Sequence, residues 1–493
     1  MKKFTKLISG ALAALLTVGT MLTNTAFAAE NKITLEATDN SDLISITEQP
    51  ADAVTNWPDG AAFHVEVDRP EFVESYQWYW VDASNVMYEL GGKTGRTETL
   101  ELPSTRPGIT TQSFRCVITD ILGKQVVSEA ARIYLDNKEE QKPYMLVGEY
   151  VITAGGYLDL SKTPYGSGLI SLSKNTEKVT LDHVNYDNTN TVCCEQLETM
   201  YYGGILYYAP DNMDDINIEL IGDCNITLTQ RDGTGKFAGA ALDIYSPVQF
   251  IGRNVKISGE GTFRSLFADC GIQTEHANLI VDVDADIRCD ETDRVQEGIH
   301  VTQPETNYDA CSITITSGKT IDIKSSGDAI KAWDDTYDKS GSITIGKDTD
   351  INITLRPVLP LGTKPASAVG IYATNVCVDG ANINVYGDYD ASLYTEHPLY
   401  WFEGITAITH LELNNTNFNA TLVASGDENF LGIRMCGIEY DGVDATDIKN
   451  SDIQVTLKNY DKFQFVSGLF NPFHGDSTFA YDDATHIMIQ YER

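Results

Sequence analysis

Five side chains capable of ligand chemistry, His300, Lys331, Trp333, Tyr372 and Arg434, fall at or near the same place in a short recurring motif. The motif is an isoleucine, usually after glycine: Asp243-Ile244-Tyr245, Gly271-Ile272-Gln273, Gly298-Ile299-His300, Ala329-Ile330-Lys331, Gly370-Ile371-Tyr372, Gly404-Ile405-Thr406 and Gly432-Ile433-Arg434. If each isoleucine points into a core, the next residue points out, because neighbours on a strand face opposite sides. Stacked repeats then present one outward column: Tyr245, Gln273, His300, Lys331, Tyr372, Thr406, Arg434. A second column, Glu275, Thr302, Trp333, Thr374, runs two residues further on. Adjacent strands lie about 4.8 Å apart, so His300, Lys331, Trp333 and Tyr372 would share a patch the size of a few sugars. Aromatic faces can stack on sugar rings, and cationic groups can pair with carboxylates. Each residue taken singly also reads as plain surface; their convergence carries the expectation.

Acidic residues sit at the bends beside this column: Asp290, Glu291, Asp293 and Glu297, then Asp328, Asp334, Asp335 and Asp338. Calcium needs several hard oxygens converging, and Asp328, Asp334 and Asp335 are the best-placed set. There is no EF-hand loop, and solvated turn acids are the plainer reading. Calcium could also bridge an acidic protein to an acidic glycan.

Enzyme chemistry stays open. A lyase needs a base beside a uronate carboxylate and a cation to stabilise the charge that develops, and Lys331 or Arg434 near Asp328 could serve. A glycosidase needs two carboxyls at a set separation. Asp334 and Asp335 are adjacent, and neighbours in a strand cannot both face one cleft. No nucleophile elbow, zinc motif or phosphate loop stands in a persuasive context.

The elements that must hold these residues repeat roughly every thirty residues, a period typical of solenoids. Between the isoleucine marks lie strand, tight turn and strand. Ser312-Ile313-Thr314-Ile315 turns at Ser317-Gly318-Lys319 into Ile321-Asp322-Ile323, and Ser342-Ile343-Thr344-Ile345 turns at Gly346-Lys347-Asp348 into Ile351-Asn352-Ile353. Val376-Cys377-Val378, Asp379-Gly380 and Ile383-Asn384-Val385 repeat the pattern, and Ile216–Ile218 with Ile226–Leu228 around Gly222-Asp223 is an earlier copy. Gly, Asn and Asp suit the positive φ of such turns. Each repeat holds three short strands with one apolar side, and none could bury that side alone. Stacking buries it in a continuous core. The expected fold is therefore all-β: a right-handed parallel β-helix over 216–493, preceded by a linker, cap and first coils over 138–215. An antiparallel sandwich is the rival, because Asp-Gly turns also favour hairpins.

The runs Ile257-Ser258-Gly259-Glu260-Gly261-Thr262-Phe263, Ser312-Ile313-Thr314-Ile315 and Ser325-Ser326-Gly327-Asp328-Ala329-Ile330-Lys331-Ala332 resemble secreted carbohydrate-binding β-helix proteins. The resemblance covers about residues 215 to 360 well and the later coils loosely. It implies a polysaccharide-lyase-like fold, calcium binding and an acidic plant polysaccharide such as polygalacturonate (pectin) as ligand. The motifs are repeat-like and specify architecture better than ligand. Non-catalytic binding, a polysaccharide lyase or hydrolase, and an adhesive or structural protein at the cell surface are the readings carried forward.

The preceding stretch, 29–137, reads as short alternating strands: Ala62–Val67, Ser75–Trp80 and Ser113–Asp120, with turns at Gly91-Gly92-Lys93 and Pro107-Gly108. This pattern points to a small β-sandwich. The strand of Trp78 and the later strand of Cys116 resemble the C and F strands of immunoglobulin-like domains, with no partner cysteine in the first strand and Phe114 where a corner tyrosine would stand. Trp78 is read as core. The polar run Asp136–Pro143 reads as a linker.

Residues 1–28 begin Met1-Lys2-Lys3, pass through an apolar run and reach Ala26-Phe27-Ala28, the layout of a secretory signal peptide. The run is short for a membrane span, and no second one follows. The protein is therefore expected to be secreted and extracellular. A formal charge of −36 argues against nucleic acid, whose phosphates need Lys and Arg, and suits solubility and divalent cations. The nine cysteines form no CxxC pair and mostly sit in apolar strand patterns, so they read as small buried hydrophobes.

Overall fold

The computed structural model describes residues 43–492 except 57–58, 82–86, 91–93, 103–112, 137–142, 149, 189–203, 209–214, 229–238, 246–252, 290–295, 303–310, 333–340, 358–366, 391–398, 426–431, 443–445, 460–462 and 472–478. The expected signal segment, Trp333, Asp334, Asp335, the acids Asp290, Glu291, Asp293 and Asp338, and Cys193 and Cys194 lie outside the described residues. Among the described residues the protein is all-β, with short 3-10 turns and no α-helix. Among the described residues no helix is long and apolar enough to cross a membrane.

Two separate hydrophobic cores organise the strands. The first gathers Ile44, Phe63, Val65, Trp78, Leu100, Phe114, Cys116 and Ile133. Val73–Val81 pairs antiparallel with Ser113–Asp120, setting Trp78 opposite Cys116, and Ala61–His64 pairs antiparallel with Thr99–Leu102. Trp78 is fully buried, and its indole Nε1 donates to the Thr97 carbonyl at 2.9 Å, so the ring packs without stranding its one donor.

The second core runs from Met145 to Phe479. Its strands begin as antiparallel pairs: Tyr144–Val147 with Tyr150–Thr153, and Gly166–Leu172 with Lys178–Asp187. From there on, each strand pairs in parallel with its counterpart in the next repeat, and three ladders result. The first ladder runs through Ile205–Tyr208, Ala240–Tyr245, Cys270–Glu275, Glu297–Thr302, Ile330–Ala332, Ser367–Asp379, Leu399–Asn414, Gly432–Tyr440 and Phe463–Phe470. The second includes Ile313–Ile315, Ser342–Ile345 and the later parts of the two long strands Ser367–Asp379 and Leu399–Asn414. The third includes Thr320–Ser325, Asp350–Leu355, Asn382–Asp390 and Asn417–Ser425. The two arms of each strand-turn-strand unit thus pair with the next unit, in parallel.

Alternation explains the burial. In Asp350–Leu355 the isoleucines Ile351 and Ile353 are buried while Asp350 and Asn352 face solvent. A fully buried isoleucine contributes about 1.5–3 kcal/mol, and stacking supplies that at every rung. Outside, asparagines stack too: Asn352 donates to Asp322 at 2.8 Å, Asn384 to Asn352 at 3.0 Å and Asn419 to Asn384 at 3.1 Å. The turns use positive φ at Gly318, Asp348, Gly380 and Asn415.

The glycine before the isoleucine has a steric cause. A Cβ at Gly298 would lie 2.4 Å from the Ala329 carbonyl oxygen, and one at Gly404 would lie 2.5 Å from that of Gly437. Successive strands of the first ladder approach too closely there for a side chain.

Candidate functional site

In the first ladder Ile272, Ile299, Ile330, Ile371, Ile405 and Ile438 occupy one line, and the residues after them form the column Gln273, His300, Lys331, Tyr372, Thr406, Glu439. Two expected members are displaced. Tyr245 pairs with Glu275 while Asp243 takes the place beside Gln273. Arg434 pairs with Trp401 and Phe465, and Glu439 takes the place beside Thr406. The motif occurs twice in that strand, as Gly432-Ile433 and as Gly437-Ile438, and the ladder uses the second.

The column is not an open strip. The His300 side chain is 16% exposed, and Lys331 is 13% exposed. Tyr372 is buried. Strict alternation would send the residue two before each isoleucine inward with it, yet Glu297 and Asp328 meet His300 and Lys331 of the outward column, and Glu403 meets Thr406.

Two clusters follow. In the first, Glu297 accepts from His300 Nδ1 at 2.7 Å and from Lys331 Nζ at 3.0 Å, and Lys331 Nζ lies 3.2 Å from Asp328 Oδ2. Asp328 also accepts from Ser367 Oγ at 3.1 Å and from the Val369 amide at 3.0 Å. Burial pushes the Glu297 carboxyl up, but His300 and Lys331 outweigh it and hold the group well below the usual carboxylate range. Asp328 moves the other way: burial, then Glu297, raise it against the pull of Lys331. As a metal ligand Asp328 has its oxygens already engaged by this chain.

The second cluster holds Glu403, Thr406, Glu439, Arg434 and Asp441. Thr406 donates to Glu403, and Arg434 pairs with Glu439. Glu403 and Glu439 are each 1% exposed. Burial raises Glu403 well above the usual range, with the Glu439 charge adding to the effect. Asp441 is pushed up to about 7 by burial and by Glu439. Three acids against one arginine in a dry setting favour the neutral form of the most buried carboxyl, which is the direction in which Glu403 moves.

Several buried polar atoms here have no hydrogen-bond partner among the described residues: His300 Nε2, Glu403 Oε1, Glu439 Oε2, Asp441 Oδ1 and Arg434 Nε. Aromatic rings lie alongside. Trp401 meets Tyr372 edge-on at 6.2 Å, Arg434 stands 5.3 Å over the Phe470 ring, and Phe465 is 49% exposed. Trp401, Phe465, Glu403, Glu439 and Asp441 are the members that sequence reasoning missed. The signal that could have found them is the second motif, Gly437-Ile438-Glu439, whose alignment with Gly404-Ile405-Thr406 brings Glu403 and Glu439 onto adjacent rungs.

The cysteines Cys116, Cys224, Cys270, Cys289, Cys311 and Cys436 are buried, and Cys377 is half-buried. Comparison with family models, with curated proteins and with solved structures found no match to this chain.

Proposed function

We propose that the chain from Tyr144 onward coils as a right-handed parallel β-helix and that its first ladder binds a linear polysaccharide outside the cell. The observation that carries this reading is the gathering of unpartnered buried polar atoms on one ladder, beside accessible aromatic rings. Buried polar groups normally have partners, and a run of exceptions calls for something that supplies them. Sugar hydroxyls both donate and accept, so they suit His300 Nε2, Arg434 Nε and the carboxylate oxygens of Glu403, Glu439 and Asp441. Trp401 and Phe465 offer apolar faces to sugar rings. His300 and Lys331 already bond Glu297, and Lys331 also Asp328, so neither is free for a uronate. An acidic glycan such as polygalacturonate would need calcium between its carboxylates and this acidic ladder, and calcium enters the reading there. The immunoglobulin-like module would act as spacer or adhesive unit.

A second reading, a glycoside hydrolase on the same ladder, is favoured by Glu403 and Asp441. Burial raises both carboxyls, Asp441 to about 7, and a raised carboxyl is what a general acid in hydrolysis needs. A lyase is less favoured, because its base would be Lys331 or Arg434 and both are held in ion pairs.

A glycan array, probed with and without calcium, tests the proposal. Retention of a linear glycan, weakened by Trp401→Ala through loss of an apolar ring face, is expected. Retention on no glycan would return the protein to the adhesive or structural reading. New reducing ends, absent with Glu403→Gln, would establish the hydrolase; rising ultraviolet absorbance from unsaturated uronate would establish a lyase.

A further inference from the structure

Away from the first ladder, three side chains of different chemistry converge on the outward side of the second. The strand Ser367–Asp379 pairs with Leu399–Asn414 so that Asn375 faces His410 and Cys377 faces Glu412. Cys377 stands between Val376 and Val378, whose side chains enter the core, and it therefore points outward. His410 and Glu412 are two residues apart and share that side. One ligand atom from each of Cys377, His410 and Glu412 lies within 4.8 Å of the others. The six buried cysteines fill the role of small hydrophobes, but Cys377 is half-buried beside an imidazole and a carboxylate.

We infer that Cys377 Sγ, His410 and Glu412 form a three-ligand site for a divalent transition-metal ion of zinc type. A thiolate, an imidazole and a carboxylate make a mixed set that zinc and cobalt accept in tetrahedral geometry, whereas calcium takes oxygen alone. Tetrahedral coordination at about 2.0–2.3 Å brings donor atoms somewhat closer than their present spacing, within reach of side-chain rotation. The backbone is already fixed by the ladder, so ordering costs fall on the side chains only. Asn414 donates to Glu412 and orients it, as outer partners of metal ligands do. Asp447, on the next rung against Glu412, is engaged by Lys449 at 2.7 Å, which leaves the fourth position to water or an incoming ligand. This site is independent of glycan binding and of calcium.

Cobalt titration of the full, chelator-treated chain, kept reduced with a phosphine, tests the inference. The expected result is about one equivalent bound, with thiolate-to-cobalt charge-transfer absorption in the near ultraviolet and the intense visible bands of a four-coordinate ion. Zinc should bleach these bands and excess calcium should not. Cys377→Ser should abolish the charge-transfer band, and His410→Ala should weaken binding about tenfold or more. Glu412→Gln, which retains the thiol, should keep the band at lower affinity, so a folding failure of one variant does not decide the matter. A native chain without the band, or a band that persists in Cys377→Ser, would overturn the inference.

Discussion

The cluster around Glu297 and the cluster around Glu403 stand on the same ladder, at the same Gly-Ile step, and solve burial of charge in opposite ways. Around Glu297 two acids face His300 and Lys331, and the group is held together by polar contacts at 2.7, 3.0 and 3.2 Å. Around Glu403 three acids face Arg434, and burial with mutual repulsion raises Glu403 and Asp441. The first arrangement satisfies most of its own polar atoms. The second has oxygens of Glu403, Glu439 and Asp441 with no hydrogen-bond donor among the described residues, although the carboxyls face one another and Glu403 lies 4.0 Å from Arg434. The two clusters therefore differ in how their buried polar atoms are satisfied.

The largest effect that could break this contrast comes from Lys331→Met. It keeps the aliphatic stem but leaves Glu297 and Asp328 without their shared cation, and removing one partner of a buried pair costs about 3–5 kcal/mol. A denaturant titration should show a loss of that size. A loss under about 1 kcal/mol would mean that the ion pairs do not offset burial in the first cluster.

Next comes the pH profile of the second cluster. Glu403 and Asp441 have raised values in the folded protein, so the native state binds more protons than the unfolded chain between the ordinary carboxylate range and neutrality. Stability from these groups is complete below about pH 4 and falls as pH rises through about pH 7. Glu297 acts in the other direction: its stabilisation is present above the ordinary carboxylate range and is lost on acidification. Glu403→Gln mimics the protonated acid. Unfolding measured at several pH values should show a flatter decline toward pH 8 than in the native chain, and equal slopes would contradict protonation of Glu403. The smallest effect is expected for Ser367→Ala, which removes one hydrogen bond to Asp328 and should cost about 1 kcal/mol in the same denaturant titration.

Much of this was legible in the sequence, for a physical reason. Apolar alternation with period two and turn residues at fixed places specify strands and their buried side, so the all-β class and the line Ile272, Ile299, Ile330, Ile371, Ile405 follow from pattern alone. The middle of the column, His300, Lys331, Tyr372, Thr406, follows with it. The ends do not. Gly432-Ile433 and Gly437-Ile438 are equivalent as patterns, and only pairing along the ladder selects the second, which moves Arg434 aside and brings in Glu439. The polar partners were hidden for a different reason. Alternation assigns Glu297 and Glu403 to the core side, yet both carboxyls bond side chains of the outward column. Expected exposure failed with it, since the column's cations are covered by those same acids.

The most direct measurement is a crystal structure of the chain with the oligosaccharide that the array retains. The account predicts sugar density along the first ladder, with rings against Trp401 or Phe465 and hydroxyls at Glu403, Glu439 and Asp441. Density on the third ladder instead, along Asn352, Asn384 and Asn419, would contradict it.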